Sequence, residues 1–126
     1  AACRRIVEAA AAAPTLVAGA GRFCTALLRQ WPGACFAKNG AEGAYAVALG
    51  PDPARRRWPG ALGLAIKIDD GNERGYQPVV VDLLQRLGAL PAELPPALAA
   101  FHRLPVWNTQ KLQVGTVHSV VRWNLP

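Results

Sequence analysis

The stretch Ala34–Leu49 reads ACFAKNGAEGAYAVAL and decides the fold of the chain. Two short apolar runs flank the polar segment KNGAEG, and in the second run large apolar residues at positions 45, 47 and 49 alternate with alanine. A period of two is typical of β-strands. The glycines at positions 40 and 43 permit the positive φ values and close backbone approach of a tight connection. The stretch therefore predicts a β-hairpin with strands over Ala34–Asn39 and Ala44–Leu49.

Beyond the hairpin, the sequence predicts a third strand and a helix packed on the sheet. Large apolar residues alternate with small residues or lysine over Leu62–Ile68, which indicates a strand with one large and one small face. Over Gln77–Leu87 apolar residues recur at helical spacing, with Pro78 near the first turn and Gly88 after the last. Because the strands are short and closely connected, and helices lie on both sides of them in sequence, we predict an α+β domain built on an antiparallel sheet. The residues that should face the sheet are Val80, Leu83, Leu84 and Leu87.

The remaining segments also carry local signals. The alanine-rich run Arg4–Ala13 predicts a helix that Pro14 ends, and Phe23–Gln30 predicts a second helix. A short helix is expected to end near Phe101. The final segment, Gln113–Val121, has strand composition but no evident pairing partner.

Composition argues against a membrane or nucleic-acid partner. The 126 residues carry a net charge of +6, with 11 Arg and three Lys. No run approaches the ~18 apolar residues of a membrane span. The cluster Arg55–Arg57 lies among prolines without stacking aromatics, so we interpret it as a solvated loop. Because Cys3, Cys24 and Cys35 form an odd set without zinc-site spacing, we expect no disulfide, metal or cofactor and a reducing, cytoplasmic location.

The chain carries no self-contained catalytic constellation. Its single serine, Ser119, has no lysine or acid at matching spacing. The pair Cys35 and Lys38 is three residues apart, which on a strand places the two side chains on opposite faces. Lys38 is therefore a candidate only by its place at a strand end, beside the backbone of a glycine, and a solvated strand-end lysine is the alternative.

Three motifs resemble the L-asparaginase II family of the serine–lysine type. They are LVAGAGRFCT at 16–25, FAKNGAEG at 36–43 and LAIKIDDGN at 64–72. The resemblance runs in register from about Arg4 to about Val120, through LLQRLG at 83–88 and the pair Trp107-Asn108. It implies a fold similar to the serine β-lactamases and the glutaminases, in which an S-x-x-K pair on a helix supplies nucleophile and base.

The resemblance also assigns candidate site residues. In the related superfamily a Lys-x-Gly motif lies on a strand that lines the site, and it matches Lys38 and Gly40 with Asn39 between them. Lys38 is thereby expected to be catalytic, and Asn39, Gly40 and Ala41 to bind substrate, the backbone N–H of Ala41 at a developing oxyanion. Whether the motif Gly21-Arg22-Phe23 contacts substrate or positions the following helix stays open.

Nothing in the chain matches the S-x-x-K pair. We therefore expect residues 1–126 to be the C-terminal portion of one asparaginase-like domain, inactive alone, whose partner is the N-terminal portion with the nucleophile. The complete enzyme, possibly a homo-oligomer, is expected to hydrolyse asparagine to aspartate and ammonia through a serine acyl-enzyme. The alternatives are a glutaminase-type amidohydrolase and a stand-alone, non-catalytic interaction domain.

Overall fold

A computed structural model describes residues 2–52 and 59–122 and has an α+β fold. Three antiparallel strands form its main sheet in the order β1 (Cys35–Asn39), β2 (Ala44–Leu49) and β3 (Leu62–Lys67). The predicted hairpin and third strand are confirmed, and each boundary agrees to within one residue. The predicted Arg55–Arg57 loop lies outside the described residues.

The register of the sheet separates its two faces by side-chain size. Ala37 pairs with Val47, which pairs with Leu64, and this row points toward the helices. The next row places Ala46 against Ala65 on the opposite face, where both are exposed. The period of two therefore gives one face packed into the core and one outward face, whose side chains are alanines on β2 and mostly small on β3.

The longest helix, α4 (Glu73–Arg86), lies against the core face, and its predicted stripe is buried. It begins four residues before the predicted start at Gln77. Asn72 provides the missed signal, because its side-chain oxygen accepts the backbone N–H of Arg74 at 3.0 Å and caps the helix. Pro78 consequently lies inside the helix rather than in its first turn, and Gly88 with φ +71° follows its end as predicted.

Four shorter helices complete the helical layer of the described residues. They are α1 (Ala2–Ala12), α2 (Pro14–Ala18), α3 (Phe23–Gln30) and α5 (Pro96–His102). Pro14 both ends α1 and begins α2, as expected of a residue suited to the first turn of a helix. The predicted helices at both ends of the sheet are thus confirmed.

An aromatic cluster joins these helices to the sheet. The ring of Phe23 in α3 lies 5.2 Å from that of Tyr45 in β2 and 5.0 Å from that of Phe101 in α5. The ring of Tyr76 in α4 stacks on Tyr45 at 4.6 Å. Such pairs contribute about 0.5–1.5 kcal/mol each beyond the area they bury. The cluster fixes α3 and α4 relative to the strands.

The last segment pairs with a strand that the sequence did not reveal. Strand β4 (Leu104–Trp107) and strand β5 (Gln113–Val117) form a separate antiparallel hairpin. β4 has only four residues and contains Pro105, so its pattern was too short to distinguish from the preceding loop. The predicted strand Gln113–Val121 is correspondingly shorter.

None of the helices within the described ranges is long and apolar enough to cross a membrane.

Candidate functional site

Lys38 occupies the edge strand of the main sheet, and its ammonium group folds toward the next residue. Lys38 Nζ donates to the side-chain oxygen of Asn39 at 2.8 Å and to the Asn39 backbone carbonyl at 3.1 Å. Alternation places the two side chains on opposite faces of β1, but the ammonium reaches around because β1 lies at the edge of the sheet. The lysine is exposed yet held in a defined position.

Asn39 connects this ammonium to the buried core. Its side-chain oxygen also accepts a weak hydrogen bond from the thiol of Cys24 at 3.6 Å, and the hydroxyl of Tyr45 donates to the Cys24 sulfur at 3.4 Å. Both Cys24 and Tyr45 are buried, and burial raises the pKa of Tyr45, so its phenol stays protonated. A chain of hydrogen bonds thus runs from the aromatic cluster to Lys38.

A polar cavity of about 260 Å³ collects these groups with others from the helices. Strand β1 contributes Lys38 and Asn39 to its wall, and Arg22 contributes from the loop before α3. The helices contribute Cys24 from α3 and Glu73, Tyr76 and Gln77 from α4. The volume is near the lower end of the ~300–1,000 Å³ usual for ligand pockets, which suits a small ligand.

Arg22 and Glu73 form an ion pair in the cavity wall. The Arg22 guanidinium lies 2.9 Å from a carboxylate oxygen of Glu73, and the Tyr76 hydroxyl donates to the same oxygen at 3.4 Å. Burial, followed by the negative charge of Glu73, raises the pKa of Tyr76 to about 12. Tyr76 is therefore a neutral hydrogen-bond donor at physiological pH.

The loop before α3 places Arg22 by its backbone conformation. Gly19 and Gly21 adopt φ values of +98° and +69°, which side chains rarely allow. The buried hydroxyl of Thr25 donates to the Gly19 carbonyl at 2.7 Å and fixes this loop on the first turn of α3. The motif GRFCT thus positions the helix through Phe23 and Thr25 and also brings Arg22 to the cavity.

The structure places Gly40 and Ala41 in the hairpin turn. The Gly40 N–H donates to the Ala44 carbonyl at 2.9 Å, and the Ala41 carbonyl accepts the Ala44 N–H at 3.3 Å. Gly40 lines a neighbouring cavity of about 350 Å³ that shares Asn39, Glu73 and Tyr76 with the first. Ala41 is exposed in the turn. Their roles in substrate binding stay predictions.

A second turn, between β3 and α4, packs against the hairpin turn. Gly43 adopts φ +70°, and a Cβ built there would lie 3.0 Å from the backbone of Gly71. The Gly43 carbonyl accepts the N–H of Ile68 at 3.0 Å. Lys67 donates to the carbonyls of Glu42 and Ile68, so its ammonium joins the two turns. Both lysines occur near strand ends, but Lys67 joins two turns whereas the ammonium of Lys38 donates to its neighbour Asn39.

Two potential nucleophiles, Cys35 and Ser119, lie apart from Lys38. Cys35 is 1% exposed, and burial, assisted by neighbouring Cys24, raises the pKa of its thiol to about 12. As predicted, it lies on the face of β1 opposite Lys38. Ser119 has a tertiary partner that sequence spacing did not reveal, because its hydroxyl donates to Asp82 at 2.9 Å. Asp82 also pairs with Arg86 at 3.0 Å, so this network anchors the tail to α4.

No group of three His, Cys, Asp or Glu side chains within residues 2–52 and 59–122 is arranged to hold a metal ion. Of the site residues predicted from sequence, the structure brings Lys38 and Asn39 together in the first cavity. Sequence reasoning missed Glu73, Tyr76 and the contact of Cys24 with Asn39. The signal for Glu73 was its place after the helix-capping Asn72, and Arg22 was noted with its role open.

The described residues form an α+β domain with a small polar cavity at the edge of an antiparallel sheet. The family model for L-asparaginase II matches residues 1–119. The chain belongs to the L-asparaginase II family. A comparison with curated proteins gave no match. Family membership indicates an amidohydrolase that acts on asparagine, and it agrees with the resemblance found in the sequence motifs.

Proposed function

We propose that the chain forms one wall of the active site of a serine–lysine L-asparaginase with a serine β-lactamase-like fold. In this proposal the nucleophilic serine and its lysine base come from outside these 126 residues, because the sequence contains no S-x-x-K pair. The exposed small face of the sheet, with Ala46, Ala48 and Ala65, supports this proposal, because small side chains let another layer pack closely.

The observation that carries the proposal is the fixed ammonium of Lys38 in the cavity wall, 2.8 Å from the Asn39 side chain. In the proposed reaction the serine oxygen attacks the carboxamide carbon of asparagine, and negative charge develops on the carboxamide oxygen. Lys38 stabilises that charge, and Asn39 holds the ammonium in place before the reaction begins. The lysine base takes the proton of the serine hydroxyl and passes it to the amide nitrogen, which leaves as ammonia when the C–N bond breaks. Water then hydrolyses the acyl-enzyme, which releases aspartate and returns a proton to the serine oxygen.

The test is ammonia release from asparagine by the complete protein and its Lys38→Ala variant. Removing one charge-stabilising group typically lowers kcat by ~10²–10³. We expect a loss of that size, with the melting temperature nearly unchanged, because an exposed ammonium contributes little to packing. Lys38→Arg should recover part of the activity, since it retains the charge with a different geometry.

The matched control is Arg74→Gln, which removes an exposed cation near the cavity whose ion pair with Asp70 is long at 3.6 Å. Lys67→Ala is unsuitable as a control because Lys67 joins two turns. Equal and small losses for Lys38→Ala and Arg74→Gln would reduce Lys38 to a solvated strand-end lysine.

The same assay separates the alternatives. Glutamine as the preferred substrate would identify a glutaminase-type amidohydrolase, and no ammonia from either amide would favour a non-catalytic interaction domain. We expect the 126-residue chain alone to be inactive, because the Ser119 hydroxyl donates to Asp82, whose carboxylate is already paired with Arg86. Mixing it with the separately produced N-terminal portion should restore turnover. Ammonia release by the chain alone, abolished by Ser119→Ala, would contradict this assignment.

A further inference from the structure

Arg22 and Glu73 present two opposite charges side by side in the wall of the cavity that contains Lys38. Their side chains remain 54% and 46% exposed, so both charges are accessible to a ligand. Exposed ion pairs of this kind contribute little to stability. Stability therefore gives little reason for this pair to lie in the wall of a polar cavity.

We propose that the Arg22–Glu73 pair binds the α-carboxylate and α-ammonium groups of a free amino-acid substrate. The inference rests on the proposed function, because it names the part of asparagine that lies away from the scissile amide. The Arg22 guanidinium donates charge-assisted hydrogen bonds to the substrate carboxylate, and the Glu73 carboxylate accepts hydrogen bonds from the substrate ammonium. The four charges, two on the protein and two on the substrate, then alternate in sign around a ring.

The support around Glu73 keeps this arrangement in place. Glu73 is the first residue of α4, directly after the cap Asn72, and its carboxylate accepts the hydroxyl of Tyr76 at 3.4 Å. The Tyr76 ring is buried and stacked on Tyr45. Arg22 is placed by the two positive-φ glycines and Thr25. Both charges are therefore fixed by the backbone and the aromatic cluster rather than by each other alone.

The arrangement disfavours amides that lack the two charged groups of a free amino acid. A residue within a peptide lacks the free ammonium and carboxylate, so it would leave both Arg22 and Glu73 without their ligand partners. A simple acyl amide lacks them as well. The cavity of about 260 Å³ also favours a ligand no larger than a single amino acid.

Three substrates of the complete protein test each charge separately. Asparagine carries both groups, succinamic acid lacks the α-ammonium, and 3-aminopropanamide lacks the α-carboxylate. Glu73→Gln should lower kcat/KM for asparagine by about 10–100-fold, mainly through KM, and leave that for succinamic acid within about twofold. Arg22→Gln should lower kcat/KM for asparagine similarly and leave that for 3-aminopropanamide within about twofold.

Arg74→Gln is the control and should change no substrate by more than about twofold, because its ion pair is long and exposed. Equal losses on all three substrates would show that the pair only maintains the fold, and unchanged selectivity would show that it does not touch substrate. Either result overturns the inference without contradicting the proposed asparaginase function.

A binding measurement separates this inference from the proposed function. If the wild-type protein released no ammonia from asparagine, the proposed function would fail, and calorimetric titration with aspartate would still test the pair. Binding of aspartate that is weakened at least tenfold by Arg22→Gln and by Glu73→Gln, and not by Arg74→Gln, supports the zwitterion site. Undiminished binding in the two variants, or no binding to the wild type, contradicts it.

Discussion

We call β1–β2 the cavity hairpin and β4–β5 the terminal hairpin. The two hairpins are similar in length, but different kinds of interaction hold them in place. In the first, Tyr45 is buried among Phe23 and Tyr76, and the turn rests on a second turn through Gly43. In the second, Trp107 is 58% exposed and Val114 is 61% exposed.

The terminal hairpin is instead held by its own turn. The side-chain oxygen of Asn108 accepts the N–H groups of Gln110 and Leu112, each at 2.9 Å. Such side-chain to backbone bonds specify a turn locally. The difference shows that tertiary packing fixes the conformation of the strand carrying Lys38, whereas local hydrogen bonds fix that of the terminal hairpin. We therefore expect mutations in the two hairpins to have very different costs.

The largest effect should come from the aromatic cluster. Phe23→Ala removes a ring that is 3% exposed and contacts Tyr45 and Phe101, so we expect the complete protein to lose about 3–5 kcal/mol of unfolding free energy. Trp107→Ala is the matched aromatic control and should cost less than about 1 kcal/mol, because the ring is largely exposed. Denaturant unfolding measures both. Similar losses would contradict the contrast between the hairpins.

The contact between the two turns should give the next largest effect. Gly43→Ala combines a positive φ with a Cβ 3.0 Å from the backbone of Gly71, and we expect a loss of about 2–4 kcal/mol. Gly33→Ala is the control, because Gly33 has φ +74° but no neighbour within 4 Å of a built Cβ. It should cost about 1–2 kcal/mol from backbone strain alone. Equal costs would mean that the close approach of the turns does not matter.

Alkaline pH should weaken the cavity hairpin through the buried thiol of Cys35. The pKa of this thiol is about 12 in the folded chain against an ordinary value of 9.0, so the folded state retains a proton that the unfolded state loses. The stabilisation present below pH 9 is lost as the pH rises toward 12. Cys35→Ala should make the decline of unfolding free energy with pH shallower by up to ~1.4 kcal/mol per pH unit across that window. The measurement is denaturant unfolding at several pH values, and parallel curves for parent and variant would contradict the assignment.

The smallest effect on global stability should come from a substitution in the turn of the terminal hairpin. Asn108→Ala removes the acceptor of two hydrogen bonds, each contributing about 0.5–1.5 kcal/mol. We expect faster hydrogen exchange confined to β4 and β5, with exchange in β1 and β2 unchanged, because the terminal hairpin opens locally. Gln110→Ala is the control, since its backbone N–H and the Asn108 acceptor both remain. Faster exchange in both hairpins would show that the two are coupled.

The sequence by itself determined the elements whose periodicity is uninterrupted. Alternation over Ala44–Leu49 and Leu62–Ile68 predicted β2, β3 and their buried faces, because a strand must place successive side chains on opposite sides. The helical stripe predicted the buried face of α4, although its start was missed where the cap Asn72 preceded Pro78. The motifs also identified the family and selected Lys38 and Asn39 as candidate site residues.

Only the tertiary structure decided which residues that are distant in sequence come into contact. Arg22 and Glu73 are 51 residues apart, and Ser119 and Asp82 are 37 apart, so no periodic pattern relates them. The orientation of Lys38 likewise depends on the edge position of β1, which let its ammonium cross to the side chain of Asn39. Periodicity reports the face of an element, but a site also depends on how the packed core places one element beside another.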